Sequence, residues 1–502
     1  MIGAHERPSH AYRAESTTTG PVVDTVTLNT NERDAAHLLA RLDRLPGGAL
    51  SRRLTLIIGV GFLFTFYDIF DINVSFIQTC SALVSGCTPA TAGAHIGLPV
   101  LLNLVGYVLG TLALSPLSDR LGRRKLLLVT MILNGVGSTL TALVHSYAAF
   151  VATRAFTGIG IGADLAIVST YIGELAPRGS RARYTAMVFM YSGLGAILGI
   201  WMGLWLTTPP ARVPFGLPFG LARGNFDYGW RLMYVIGGLL AVIGVLLRLR
   251  LPESPRWLVS CGRLDEAARV IARFEARARV TRPLPPLPAQ IPPLTPPPDA
   301  LPVASILRNR LYRNRTLLLV SMWFLGYITV YSFAAGFTTL LAALRFPAAE
   351  AGLITAVGTS GFLLCAAVTY AYGERMERKH WPLVAACITV AGGVLLAYGG
   401  TDVPLAILGT IIVFFGFNVW VPIAYAWSIE HYPTRARTTG FALVDGIGHL
   451  GGGIGMFAIA PLIPMLGVFG SFMLISGFLV AAALIAQFGI ATRARLLDEI
   501  SP

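Results

Sequence analysis

Charge is what this chain has least of. Only 13% of its 502 residues are Asp, Glu, Lys or Arg, against roughly 25% in an ordinary soluble domain. With 54% of residues hydrophobic, that shortage excludes a typical water-soluble fold. Cysteine is scarce too. The five cysteines show no metal-ligand spacing. Cys80 and Cys87 fall together at the outer end of the first hairpin, where a disulfide or two unpaired small residues are both admissible. Cys261, Cys365 and Cys387 read as packing residues. No glycine-rich phosphate loop is present, which argues against an ATP-driven pump. No nucleophile motif or metal cluster supports a membrane enzyme, and nothing calls for a cofactor. Residues 1–50 hold no apolar core, so they are expected to be a largely disordered cytoplasmic tail rather than a cleaved signal peptide.

Long apolar runs are what is there. A membrane span takes about 20 mostly apolar residues. About twelve such runs can be marked, near 54–79, 93–117, 126–146, 148–172, 185–208, 230–250, 316–341, 350–372, 382–400, 403–428, 438–460 and 466–490. A β-barrel would show short alternating segments instead. The expected fold class is therefore an all-α membrane protein. Basic residues collect in alternate loops, as at Arg120 to Lys125, Arg178 to Arg183, Arg375 to Lys379, and Arg435 with Arg437. This positive-inside pattern places both termini in the cytoplasm. It also accounts for the net charge of +14 without a nucleic-acid partner. The Ala/Arg/Gly-rich usage points to a bacterial inner membrane.

The runs divide into halves of about six spans each, 51–250 and 316–490, with a cytoplasmic linker at 251–315 and a short tail at 491–502. In the linker, 263–279 has amphipathic helical periodicity and many arginines, which suits a helix on the membrane face or on the bundle. The proline-dense run 282–302 that follows reads as a semi-rigid polyproline spacer. A repeat links the halves. "SPLSDRLGRRK" and "YGERMERKH" follow the second and eighth spans, and "YIGELAPRGSRAR" and "SIEHYPTRAR" follow the fourth and tenth. Two related halves imply alternating access around a midplane site.

Charges inside the spans are expensive, roughly 3 kcal/mol each on insertion scales, so they face the bundle interior. In the first span, Asp68, Asp71, Ser75 and Gln78 recur on one helical face. In the fourth, Arg154, Thr157, Asp164 and Tyr171 do the same, and Gly158 and Gly162 form a small-residue surface for close packing. Asp68 is expected to crowd Asp71 or to meet backbone or water at a helix break. In the eleventh span Asp445 and His449 lie one turn apart, and histidine titrates near neutral pH. Neutral and aromatic residues complete a candidate pocket: Gln78, Asn103, Tyr107, Trp323, Tyr327, Tyr331, Asn418 and Tyr425.

These motifs carry a family resemblance. "SPLSDRLGRR" resembles the second-span loop signature of the major facilitator superfamily, with Ser115 in place of its first glycine. "PESPRWL" at 252–258 looks like the sugar-porter and organic-ion branch. "ARLDRLP" at 40–46, "GIGIGAD" at 158–164 and "EHYPTRARTTG" at 430–440 resemble the metabolite:proton symporters, the niacin-transporter-like group. The resemblance covers residues 40–490 and implies twelve helices in two pseudo-symmetric six-helix halves. It implies that Asp71 pairs with Arg154 as a proton switch and that Asp164 is a second proton site. Pairing with arginine favours an ionised carboxylate, while burial favours the neutral one. Organic-ion relatives place arginine where this chain has His449. The resemblance also implies a cytoplasmic gate of charges that locks the outward-open state: Asp119, Arg120, Arg123, Arg124, Glu174, Arg181, Arg183, Glu253, Arg256, Glu430 and Arg437. The seventh span lacks the amides usual in sugar porters.

The function expected is proton-coupled uptake of a small polar metabolite, such as an organic acid, by a monomer in the bilayer. Proton/drug antiport and a transporter-like sensor are the alternatives. Proton coupling is assigned to Asp68, Asp71, Arg154, Asp164, Asp445 and His449.

Overall fold

The computed structural model describes residues 30–46, 50–176, 181–207, 211–212, 218–219, 228–281, 283–288, 303–344, 346–373, 375–432 and 437–493. It is almost entirely helical. The first half holds α1 (Thr30–Asp43), α2 (Arg52–Phe70), α3 (Ile72–Leu83), α4 (Ala92–Leu121), α5 (Arg123–Leu143), α6 (Tyr147–Leu175), α7 (Arg181–Thr207) and α8 (Gly229–Arg248). Between the halves lie α9 (Pro255–Ser260), α10 (Leu264–Thr281) and α11 (Val303–Arg308). The second half holds α12 (Arg310–Ala343), α13 (Ala348–Gly358), α14 (Ser360–Tyr372), α15 (Trp381–Tyr398), α16 (Val403–Val419), α17 (Val421–Glu430), α18 (Arg437–Ile459) and α19 (Ile463–Gln487). A two-residue antiparallel pair, Ala211–Arg212 with Pro218–Phe219, is the one sheet among the described residues.

Eleven helical stretches among the described residues are long and apolar enough to span a membrane. The last, Gly440–Gln487, contains both α18 and α19, joined through a turn at Ala460–Leu462, so the spans number twelve. Four spans among the described residues are interrupted, the twelfth by a kink at Gly467 with φ 64°. The first breaks at Asp71 between α2 and α3, the eighth at Thr359, and the tenth at Trp420. In the tenth the cause is local, because Pro422 opens α17 and has no N–H to continue the ladder. Polar caps start several spans: Ser51 accepts from Leu54 N at 2.9 Å, and Asp402 accepts from Leu405 N at 3.0 Å.

Glycines set the closest helix pair. A methyl group on Gly158 of α6 would lie 1.9 Å from the Asn103 carbonyl of α4, and one on Gly162 would lie 2.1 Å from that of Tyr107. Only glycine permits this approach. It is what lets Asn103 and Arg154 meet.

The tail departs from expectation. Residues 1–29 lie outside the described residues, but 30–43 form α1 rather than disordered chain. The helix packs on α9 and α10, burying Leu38 and Leu42 on its side and Ile271 and Phe274 on the other. Its charges explain the docking. Glu275 of α10 accepts from Arg41 at 2.7 and 3.2 Å and from Arg44 at 2.7 Å, and Arg256 pairs with Asp43. The amphipathic segment forms α10 as expected. Residues 283–288 have neither helix nor strand, and the rest of the proline run, 289–302, lies outside the described residues.

Cys80 and Cys87 are joined in a disulfide, and Cys261, Cys365 and Cys387 are free. Alkylation of the denatured, unreduced protein should therefore add three labels, rising to five after reduction. Intact-mass spectrometry reads the difference. The Glu275 carboxyl is raised by burial, but the Arg41 and Arg44 hydrogen bonds outweigh that and hold it below its ordinary range. Its contribution to α1 docking is then complete above the usual glutamate value, about 4.3, and is lost as pH falls through the lower folded value. Glu275→Ala should expose residues 30–46 to limited proteolysis at neutral pH, while the wild type does so only under acid.

Candidate functional site: two aspartate–arginine pairs and a tyrosine-shelled carboxylate

Three buried charge clusters occupy the bundle. The first joins α2, α5, α6 and α8. Asp71, with no exposed surface, lies 3.5 Å from Arg154 Nη1, and Asp68 lies 3.8 Å from it. Arg154 Nη2 donates to the Asp68 carbonyl at 2.8 Å, and Ser138 donates to the Asp68 carboxylate at 2.9 Å. Asn103 donates to the Arg154 carbonyl at 2.7 Å, and the Tyr234 ring lies 5.6 Å from the guanidinium. Neither Asp71 oxygen accepts a hydrogen bond from the described residues. Arg154 Nε and Nη1 and the Tyr234 hydroxyl are also buried without a hydrogen bond among the described residues.

The second cluster is the opposite case. Asp164 of α6 is gripped on both oxygens by Arg248 of α8, with Nη2 to Oδ2 at 2.9 Å. Thr65 adds a donor at 2.9 Å and Thr130 another at 2.7 Å. Arg248 also donates to the Leu127 carbonyl at 2.7 Å. Four donors fill a carboxylate's acceptor sites, and a bidentate guanidinium is its strongest partner. Charge is compensated within the cluster.

The third cluster spans the halves. Asp445 of α18 accepts from Tyr107 of α4 at 2.9 Å and from Tyr425 of α17 at 2.8 Å, and the Tyr327 hydroxyl of α12 lies 3.4 Å from it. Tyr327 and Tyr425 hydroxyls are 2.8 Å apart. His449 Nδ1 lies 2.7 Å from the Asp445 carbonyl and 3.4 Å from its carboxylate. The imidazole is stacked on Tyr107 at 3.9 Å and 18°, and lies 4.2 Å from the Tyr327 ring. Tyr331 is 5.7 Å away. Trp323 packs 4.9 Å from Tyr327 and 5.0 Å from Tyr425, its indole N–H donating to Ser428 at 2.8 Å.

The halves also meet nearer the disulfide end. Asn73 of α3 donates to the Ala334 carbonyl and accepts from Thr338 at 2.6 Å. A methyl on Gly97 of α4 would lie 2.7 Å from the Phe457 Cα of α18, and one on Gly453 would lie 2.9 Å from the Leu101 Cα. Toward the tail end, Gly446 would meet only a Val108 methyl, at 3.8 Å. Helices α4 and α18 are therefore tightest at the disulfide end and part toward the tails.

Charges at the tail end form pairs within each half. Arg123 holds Glu174 at 2.8 to 3.2 Å. Glu253 caps α5, accepting from the Arg123 and Arg124 backbone N–H groups at 3.0 and 3.2 Å. Arg124 reaches the Leu249 carbonyl at 2.6 Å. In the second half Arg378 pairs with Glu430. Glu377 accepts from the backbone N–H groups of Arg378, Thr492 and Arg493 at 3.0 to 3.3 Å. Arg256 faces Asp43 of the tail helix, and Arg120 is exposed. The side chains of Asp119, Arg181, Arg183 and Arg437 lie outside the described residues.

Two expected pocket residues stand apart from the clusters. Gln78 accepts from the Trp230 N–H at 2.8 Å and so caps α8. Asn418 contacts Cys365 Sγ at 3.6 Å. Sequence reasoning missed Arg248, Thr65, Thr130, Ser138, Asn73 and Glu377.

The sequence and the architecture match a known group. The family model for sugar (and other) transporters matches residues 54–502. The chain belongs to that family. Its fold is the major-facilitator fold, and the family is one of transporters rather than enzymes. This family member is 24% identical to the niacin transporter NiaP of Acinetobacter baylyi, over 92% of its own length and 99% of that protein's. It is 27% identical to the 4-hydroxybenzoate transporter PcaK of Pseudomonas aeruginosa, over 74% of this chain and 78% of that one. The inward open structure of the xylose transporter XylE from E. coli superposes with a TM-score of 0.65 at 20% identity, covering 89% of this chain and 98% of that one. That likeness speaks for the fold.

The two aspartate–arginine pairs should respond differently to mutation. Removing one partner of a buried pair costs about 3–5 kcal/mol. Arg248→Met strands Asp164 among apolar helices and should lower the melting temperature in detergent sharply. Asp71→Asn removes a carboxylate that accepts no hydrogen bond, leaves Arg154 with Asp68 at 3.8 Å as counter-charge, and should cost much less. Fluorescence-detected thermal melts of the two variants compare them directly.

Proposed function

We propose that this transporter takes up a small organic acid together with a proton, by alternating access, with Asp71 carrying the coupling proton and Arg154 as its counter-charge. The observation that carries this reading is the unfilled Asp71–Arg154 pair. An ionised carboxylate buried without hydrogen bonds is costly, so Asp71 is the aspartate poised to exchange a proton. Asp164, with four donors, serves as a strut between α6 and α8. Protonating Asp71 frees Arg154, whose Nε and Nη1 make no hydrogen bond, and that change biases the halves between their two orientations.

An acid with an aromatic ring fits the second-half side chains. The pocket candidates there are Trp323, Tyr327, Tyr331, Tyr425 and His449, and α12 carries no amide at that level. The niacin and 4-hydroxybenzoate transporters, by their names, move aromatic carboxylates. The positive-inside loops orient the tails toward the cytoplasm, and the tightness of α4 against α18 at the disulfide end supports a cavity open to that side. The Arg123–Glu174–Glu253 and Arg378–Glu430–Glu377 groups then act as the cytoplasmic gate, each confined to its own half while the gate is open.

Purified protein in liposomes, with the outside made acidic, tests the reading. Radiolabelled nicotinate or 4-hydroxybenzoate should accumulate, and a protonophore should abolish the accumulation. Asp71→Asn should lose accumulation and keep counterflow exchange. Gradient-driven export of cationic dyes would point to antiport instead. Binding without flux would leave only a sensor.

A further inference from the structure

The hydroxyl groups that reach the Asp445 carboxylate are all phenols, and His449 Nδ1 lies 3.4 Å from it. Its side-chain hydrogen-bond donors are the hydroxyls of Tyr107 and Tyr425, and Tyr327 donates to Tyr425 at 2.8 Å while lying 3.4 Å from the carboxylate. Of these only Tyr107 comes from the first half, on α4, while Tyr327 and Tyr425 belong with Asp445 to the second. Oδ1 takes Tyr425, which Tyr327 backs from behind, and Oδ2 takes Tyr107. The same Tyr107 ring covers one face of His449, nearly parallel at 3.9 Å. One side chain thus supplies a flat aromatic ring to an imidazole and a phenolic hydroxyl to a carboxylate, across the plane at which the halves move apart in alternating access.

We propose that Asp445 and His449 form the recognition site for a hydroxylated aromatic ring of the substrate, and that Tyr107 occupies this site as the protein's own stand-in when substrate is absent. This inference rests on the organic-acid reading above and narrows it to phenolic acids. When Tyr107 withdraws with α4, Asp445 Oδ2 loses its donor and His449 loses a stacked ring. A hydroxyaryl substrate replaces both contacts at once. Phenol O–H to carboxylate is a charge-assisted hydrogen bond, stronger than one between neutral groups. A ring lacking the hydroxyl leaves Oδ2 unpaired in an apolar setting. Sites that hydrogen-bond a substrate hydroxyl reject the analogue without it far more strongly than apolar pockets sort by size. Tyr327 and Tyr425 hold the carboxylate in place through the exchange. They are positioning residues.

The test is equilibrium binding of two probes, 4-hydroxybenzoate and benzoate, to the full-length protein in detergent, read as the ratio of their affinities. Wild type should prefer 4-hydroxybenzoate by at least about tenfold. Tyr107→Phe removes the competing hydroxyl and should raise that ratio further. Asp445→Asn should bring it close to one. A merely structural Tyr107–Asp445 contact would weaken both probes together and leave the ratio where it was. A wild-type ratio near one, or a preference that survives Asp445→Asn, overturns the proposal. If both probes bind equally and proton-driven uptake of each persists, phenol recognition fails while the symport reading stands. If neither probe binds or is transported, both readings fall.

Discussion

An ionisable group in the middle of a bilayer must be compensated, and the architecture follows from that requirement. Asp164 and Arg248 satisfy it fully, with two threonines completing the shell. Asp71 and Arg154 satisfy it only by charge, at 3.5 Å and without hydrogen bonds between them. The same two residue types, in the same half, thus make a fully hydrogen-bonded pair in one place and a loosely held one in another. What separates them is the number of donors each carboxylate receives, not its sequence neighbourhood.

The two halves solve their tail-end problem alike. Glu253 and Glu377 each receive backbone N–H groups at the start of the helical segment that follows the second or eighth span. Arg123 and Arg378 each hold a glutamate at the end of the fourth or tenth span. The departures from symmetry lie elsewhere. Glu377 also holds the chain at Thr492 and Arg493, whereas the first half is covered by α1 docked on α10. A docked tail helix and a pinned terminal segment flank the same face of the bundle.

Much of this was legible in the residues. Twelve apolar runs, the alternating basic loops and the polar stripe of the first span follow from period and composition alone. Arg154 stood out because it interrupts an apolar run. Arg248 did not, because it sits at the end of one, where an arginine signals only a membrane boundary. Thr65, Thr130 and Ser138 carry no charge and gave no warning. The α1 helix was hidden because its stabilising partners lie more than 200 residues away in α10. Gln78 shares the stripe of Asp68 and Asp71, yet two turns further on that stripe meets the start of α8, a contact no local pattern encodes. The meeting of Tyr107 with Asp445 belongs to tertiary packing, and no local pattern encodes it.

The glycine contact of α4 against α18 at Gly97 has a mechanical meaning. A pair of rods pressed together near one end opens as a hinge, and displacement grows with distance from the pivot. About ten residues of helix, at 1.5 Å each, separate Gly97 from Tyr107, an arm of roughly 15 Å. A tilt of about 10° then moves Tyr107 by roughly 2.6 Å, more than a hydrogen bond tolerates, while the pivot hardly shifts. The Tyr107–Asp445 bond therefore works as a threshold: small rocking leaves it whole, and a modest further angle releases it completely.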